Sequence, residues 1–95
     1  MRNFFTIMDN QNPNMLNTLQ NARADAIGEL EAIIQYENHA EQTNDNLAKE
    51  TIRDKSKEEK LHVGQLFGLI FKLDPESRTQ FEAGLEEFEK LNQKK

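Results

Sequence analysis

From about Met15 to Glu41, apolar side chains recur at spacings of three and four or their sums: Leu16, Leu19, Ala26, Leu30, Ile33, Tyr36 and Ala40. That is the stripe of a long amphipathic helix, and it contains one anomaly, Glu29. The polar run Gln42-Thr43-Asn44-Asp45-Asn46 then predicts a short turn, with the next helix beginning near Leu47 and Asp45 or Asn46 as its N-cap. A second stripe follows to about Leu73: Ile52, Lys55, Glu59, His62, Leu66, Leu69 and Leu73. Three consecutive positions of it are polar. Asp74-Pro75-Glu76 ends this helix and starts another, with Asp as N-cap, Pro at the first helical position and Glu in the first turn, where the helix dipole favours it. Phe81, Leu85, Phe88 and Leu91 give the third helix its apolar face. The expected fold is all-α, an antiparallel hairpin of two long helices plus a short C-terminal helix.

Ahead of the first stripe, residues 1 to about 14 hold the short apolar cluster Phe4-Phe5-Thr6-Ile7-Met8 and the breaker-rich Asp9-Asn10-Gln11-Asn12-Pro13-Asn14, read as a flexible N-terminal arm before a helical domain over 15–95. The closing Asn92-Gln93-Lys94-Lys95 is expected to fray.

Composition narrows the partners. With 36% apolar and 31% charged residues in 95, one chain has little with which to build a large core, so a second chain is expected to complete it. The absence of Cys excludes disulfides and thiolate metal sites. A net charge of −5 with no Lys/Arg cluster argues against nucleic acid, because phosphate binding requires a basic face that releases counterions. The N-terminal apolar cluster is too short for a signal-peptide core, and no run of ~18 apolar residues exists to cross a membrane. The cytoplasm is the expected location.

The polar positions inside the stripes carry the chemistry. In Glu59-Lys60-Leu61-His62 the Glu and His lie three apart and project from one helical face. Glu29 and Glu59 are each fifteen residues from Asn44, and both helices rise ~1.5 Å per residue, so an antiparallel hairpin sets the two carboxylates at one height. Twelve Glu in 95 residues make an isolated Glu-x-x-His common by chance; the shared height and the inward-facing positions set this one apart. Burying carboxylates costs several kcal/mol per ion unless they are paired or bound to metal. Lys55, one turn from Glu59, offers a salt-bridge alternative. For a metal, a two-fold axis through the site would gather two copies each of Glu29, Glu59 and His62, the ligand set of carboxylate-bridged di-iron bundles. Carboxylate with imidazole and no thiolate suits iron, manganese or zinc. Tyr36, seven residues beyond Glu29, is placed beside the cavity or in the core; Glu58 could orient His62 or be solvated; His39 reads as a helix C-terminal residue.

Glu29-Leu30-Glu31-Ala32, Tyr36, Asp45 and Glu58-Glu59-Lys60 followed by His62 together resemble the encapsulated ferritins, without a gap over roughly residues 26 to 66. The resemblance implies a ferritin-like four-helix bundle formed by dimerisation. It implies a ferroxidase centre between two chains, with Glu29, Glu59 and His62 as iron ligands and Tyr36 beside them. Fe(II) would be oxidised to Fe(III) by dioxygen at a di-iron site, for iron storage with an encapsulin shell protein, and dimers would join in a ring. A location inside an encapsulin nanocompartment is then expected. Glu31 matches an acidic position of a secondary metal site.

Three departures accompany the match. Gln35 replaces a tryptophan near the centre, Gly28 stands where an acidic residue supports the secondary site, and the last residues lack the small-residue, leucine and arginine motif that docks such cargo into a shell. The rival expectation is a helical oligomerisation module, either metal-free or clipped by redox-inert zinc or manganese.

Overall fold

The computed structural model describes residues 13–94, and the expected arm over residues 1–12 lies outside them, as does Lys95. Three helices follow one another: α1 Pro13–Gln42, α2 Asn46–Leu73 and α3 Pro75–Gln93. No strand occurs among the described residues. α1 begins at Pro13, in a position where the missing N–H costs nothing, so the residues assigned to the arm up to Asn14 lose their last two to the helix. At the other end, where fraying was expected, Asn92 and Gln93 remain helical and Lys94 forms a turn.

The turns follow from their own hydrogen bonds. Thr43–Asp45 is the whole connection between α1 and α2. The Thr43 N–H donates to the His39 carbonyl at 3.2 Å, and the Asp45 carboxylate caps α2 by accepting from the Ala48 N–H at 2.8 Å. So short a link forces the helices antiparallel. At the second corner Asp74 occupies the N-cap position of α3, with Pro75 behind it. Its side chain, however, reaches sideways: Oδ2 accepts from the Ser77 hydroxyl at 2.6 Å and from the Arg23 guanidinium at 2.7 Å. Arg23 also donates to Ser77 Oγ at 2.9 Å. The Ser77 hydroxyl foremost, and the guanidinium with it, hold the Asp74 carboxyl below the usual carboxylate range, and the cluster pins the start of α3 to α1.

The seam of the hairpin advances by alternate steps of three and four. On α1, Leu19, Ala22, Ala26 and Ala40 are buried, with Glu29, Ile33 and Tyr36 half-buried between them. On α2, Ser56 and Ile70 are buried, with Ile52, Glu59, Val63, Leu66 and Leu73 half-buried. This is the heptad pattern of a two-stranded coiled coil. It corrects the expected stripes: Leu30, Lys55 and Leu69 face outward and His62 stands one position off the seam, while Ala22, Ser56, Val63 and Ile70 take seam positions. The expected α2 stripe kept every second seam residue and otherwise leaned to one flank, because Ser56 is polar and gives no hydrophobic signal.

Among the described residues five apolar ones are buried and none of the large side chains is fully enclosed, too small a core to make the hairpin robust alone. α3 adds a ring cluster: Phe81 stands 5.4 Å from Phe67 and 5.2 Å from Phe71, centroid to centroid, with tilted planes. Further along it, Leu85, Phe88 and Leu91 are exposed among the described residues.

Candidate metal centre

Glu29 on α1 and Glu59 on α2 are both seam residues at mid-hairpin, and the three-residue turn brings them level. His62, one position off the seam, leans over them from α2. His62 Nδ1 lies 3.5 Å from Glu29 Oε2 and 3.7 Å from Glu59 Oε1, and one donor atom from each of the three residues lies within 4.8 Å of the others. All three side chains are partly buried, Glu59 the most at 18% exposure. They open on one flank of the hairpin into a cavity also lined by Asp25, Gly28, Gln65 and Leu66.

The two contacts to His62 are short enough for a shared cation. Carboxylate oxygen and imidazole nitrogen bind ions such as zinc at about 2.0–2.2 Å, so two donors on one ion stand no more than about 4.2 Å apart; both contacts to His62 satisfy this. Bonding state points the same way. Glu29 Oε2 is buried and accepts no hydrogen bond from any described residue. An ionised oxygen left so costs at least 1–3 kcal/mol, a penalty that a bound cation removes. No Lys or Arg among the described residues forms an ion pair with it. Oxygen and nitrogen donors without sulfur suit iron, manganese or zinc.

The remaining sequence-derived candidates fall in different places. Lys55 does not reach Glu59; its ammonium stands 3.8 Å from Glu58, which removes the salt-bridge explanation of the centre and shows Glu58 facing Lys55 rather than His62. Tyr36 is half-buried two turns toward the loop, in the seam and away from the cavity walls. Glu31 is exposed on the outer side of α1, apart from the three donors. His39 sits in the last turn of α1, exposed, where the dipole favours a cation. Asp25 and Gln65 were not singled out from the sequence. The usable signal was helical spacing, since Asp25 precedes Glu29 by four residues and Gln65 follows His62 by three.

No protein-family model matches the chain. Over 65 residues, 68% of its length, it is 40% identical to the ferritin-like-encapsulin shell fusion protein of Pyrococcus furiosus, and it spans 19% of that protein's length. The crystal structure of the encapsulated ferritin domain from Pyrococcus furiosus matches the fold with a TM-score of 0.78 at 35% identity, covering 81% of this chain and 79% of that one.

Proposed function

The chain belongs to the encapsulated ferritin family, and from that premise we propose that it is a ferroxidase, oxidising Fe(II) to Fe(III) with dioxygen at a di-iron centre shared by two chains. The observation that carries this reading is the convergence of Glu29, Glu59 and His62 around a buried, unpartnered carboxylate oxygen. Three donors on one open flank are half of a site. A second copy related by a two-fold axis supplies the other half, giving four carboxylates and two imidazoles, and closes the four-helix bundle.

Each residue then has a task. The four carboxylates offset the charge of two Fe(II) ions, and in the absence of iron they repel one another across the interface, so that binding and association favour each other. His62 supplies the nitrogen donor; in its neutral form one ring nitrogen faces the ion and the other keeps its proton. Iron is the substrate here, each Fe(II) giving one electron to dioxygen and leaving as Fe(III). The chain contributes geometry, charge balance and partial exclusion of water.

The matched relative is, by its name, a ferritin-like domain fused to an encapsulin shell. We place the present chain in the corresponding role, delivering Fe(III) for storage within an encapsulin nanocompartment in the cytoplasm, as a homodimer that assembles further into a ring. No helix among the described residues is long and apolar enough to cross a membrane.

The test is dioxygen consumption on adding Fe(II) to the native protein beside Glu29→Ala and His62→Ala. Rapid uptake by the native chain and a fall of about 10–100-fold in each variant is the expected result. Equal consumption by all three refutes the ferroxidase reading, and iron or zinc binding without consumption leaves the redox-inert clip in its place.

A further inference from the structure

In the angle between α2 and α3, the rings of Phe67, Phe71 and Phe81 stand 5.2 to 5.8 Å apart, centroid to centroid. They form one wall of a groove of about 690 Å³, and Phe81 remains 43% exposed there. The floor is α2 itself at Gly64 and Gly68, one turn apart. A Cβ at either glycine meets no atom within 4 Å, and neither has a positive φ, so the packing of the described chain requires neither. Glycine inside a helix is costly relative to alanine, and here it leaves the helix backbone open to close approach. Of the two cations at the rim, Arg78 is held by Glu82 of its own helix, whereas Lys72 forms no ion pair among the described residues. Gly64 lies about 160° around α2 from His62, so the groove and the metal centre do not share a face.

The chain holds a segment that suits this groove and is tethered beside it. Residues 1–12 lead into α1 at Pro13. Pro13 and Pro75 are each 31 residues from Asn44, so the arm joins the hairpin at the height where α3 begins. From that height to Gly64 is about 17 Å along α2, while the eight residues from Phe5 to Pro13 span up to about 27 Å when extended. The cluster Phe4-Phe5-Thr6-Ile7-Met8 is apolar and rich in rings, as the groove is. Asp9, the one acid among residues 1–12, follows the cluster, four residues before Pro13 and within reach of Lys72.

We propose that the arm closes the groove of its own chain: Phe4, Phe5, Ile7 and Met8 lie along Gly64 and Gly68 against the three rings, with Asp9 at Lys72. Seated so, the arm bridges α2 and α3. It adds a further tie to those made by the Phe81 rings and the Arg23–Asp74 pair. No metal ligand takes part, so this contact and the ferroxidase reading fail separately.

The experiment uses the full chain in excess chelator with Phe5→Trp as a reporter, the native sequence having no Trp, and circular dichroism as the check on folding. The expected reporter emission is blue-shifted, and acrylamide quenches it several-fold more slowly than free tryptophan. Gly68→Leu fills the groove with a better helix former; emission then moves to the red, quenching rises to the free level, and amide exchange in α3 increases. Refolding that variant together with excess native chain leaves its reporter exposed. Asp9→Lys weakens the shielding several-fold, and adding Lys72→Glu restores it. A reporter quenched like free tryptophan in the otherwise native chain overturns the proposal. So does shielding that survives Gly68→Leu, which seats the arm elsewhere, that returns on refolding with native chain, which gives the arm to a second copy, or that ignores the charge reversals.

Discussion

Glu29 and Glu37 are two turns apart on α1, and their surroundings are opposite. Glu37 Oε2 accepts from the Lys60 ammonium at 2.8 Å and from the buried Ser56 hydroxyl at 3.2 Å; the lysine hydrogen bond first, then its charge, draws the Glu37 carboxyl below its ordinary pKa. Glu29 is more deeply set, and its Oε2 has an imidazole nitrogen at 3.5 Å but accepts no hydrogen bond from any described residue. The hairpin therefore answers one carboxylate internally and withholds an answer from the other. On the proposed reading, the structural acid comes with its cation in the same chain, whereas the acid proposed to bind an external ion is kept free of one, at a cost to the stability of the metal-free protein.

The sharpest way to break this contrast is charge removal on each flank. Glu59→Gln keeps side-chain shape while deleting a ligand charge, and it is expected to lower Fe(II) affinity about 10–100-fold in anaerobic titrations, with Glu37→Gln unchanged. Stability separates the flanks next. In chelator, Glu29→Leu raises the free energy of unfolding by about 1 kcal/mol or more, as replacement of a buried unpaired ion does, while Glu37→Leu lowers it; urea unfolding of both reads the sign. Opposite signs support the contrast and matching signs remove it. Arg23→Ala, which frees Asp74 and Ser77, costs about 1 kcal/mol and increases amide exchange in α3 before it affects the hairpin.

The smallest expected effect is in pH. Because the folded Glu37 pKa lies below the unfolded value, the stability supplied by Lys60 and Ser56 is fully present above about pH 4.3, the ordinary Glu pKa, and is lost as pH falls through the lower folded value. Unfolding curves of native protein and Glu37→Gln, distinct at pH 7, should therefore converge in the acid range. A difference that persists there assigns Glu37 a role other than this pairing.

Much of the molecule is written locally. The Asp45 cap and the Asp74-Pro75 corner are signalled by the residues that make them, and the three-residue turn converts equal sequence distance into equal height, which is why the spacing alone pairs Glu29 with Glu59. The α2 seam was half legible. Ile52, Glu59, Leu66 and Leu73 lie where the pattern placed them, but Ser56 has no apolar side chain to announce its burial, Leu69 enters the stripe because the apolar surface of α2 is wider than one neighbouring helix can cover, and Lys55 and His62 enter it by helical spacing alone. That excess width is on the metal flank, beside His62 and Leu69. The Arg23–Asp74–Ser77 cluster was not legible, since it joins residues 51 and 54 apart through a corner whose direction no local rule specifies. The docking of α3 through Phe81 depends on the same corner.

The central claim is that two chains bring two iron ions together, each chain contributing one half-site. X-ray absorption of the Fe(II)-loaded protein, prepared without oxygen, measures this most directly. Neighbouring iron at about 3.5–4 Å, the separation typical of two-metal sites, is predicted for the native chain and absent in His62→Ala. Iron bound to the native protein with no second iron within that range would contradict the account.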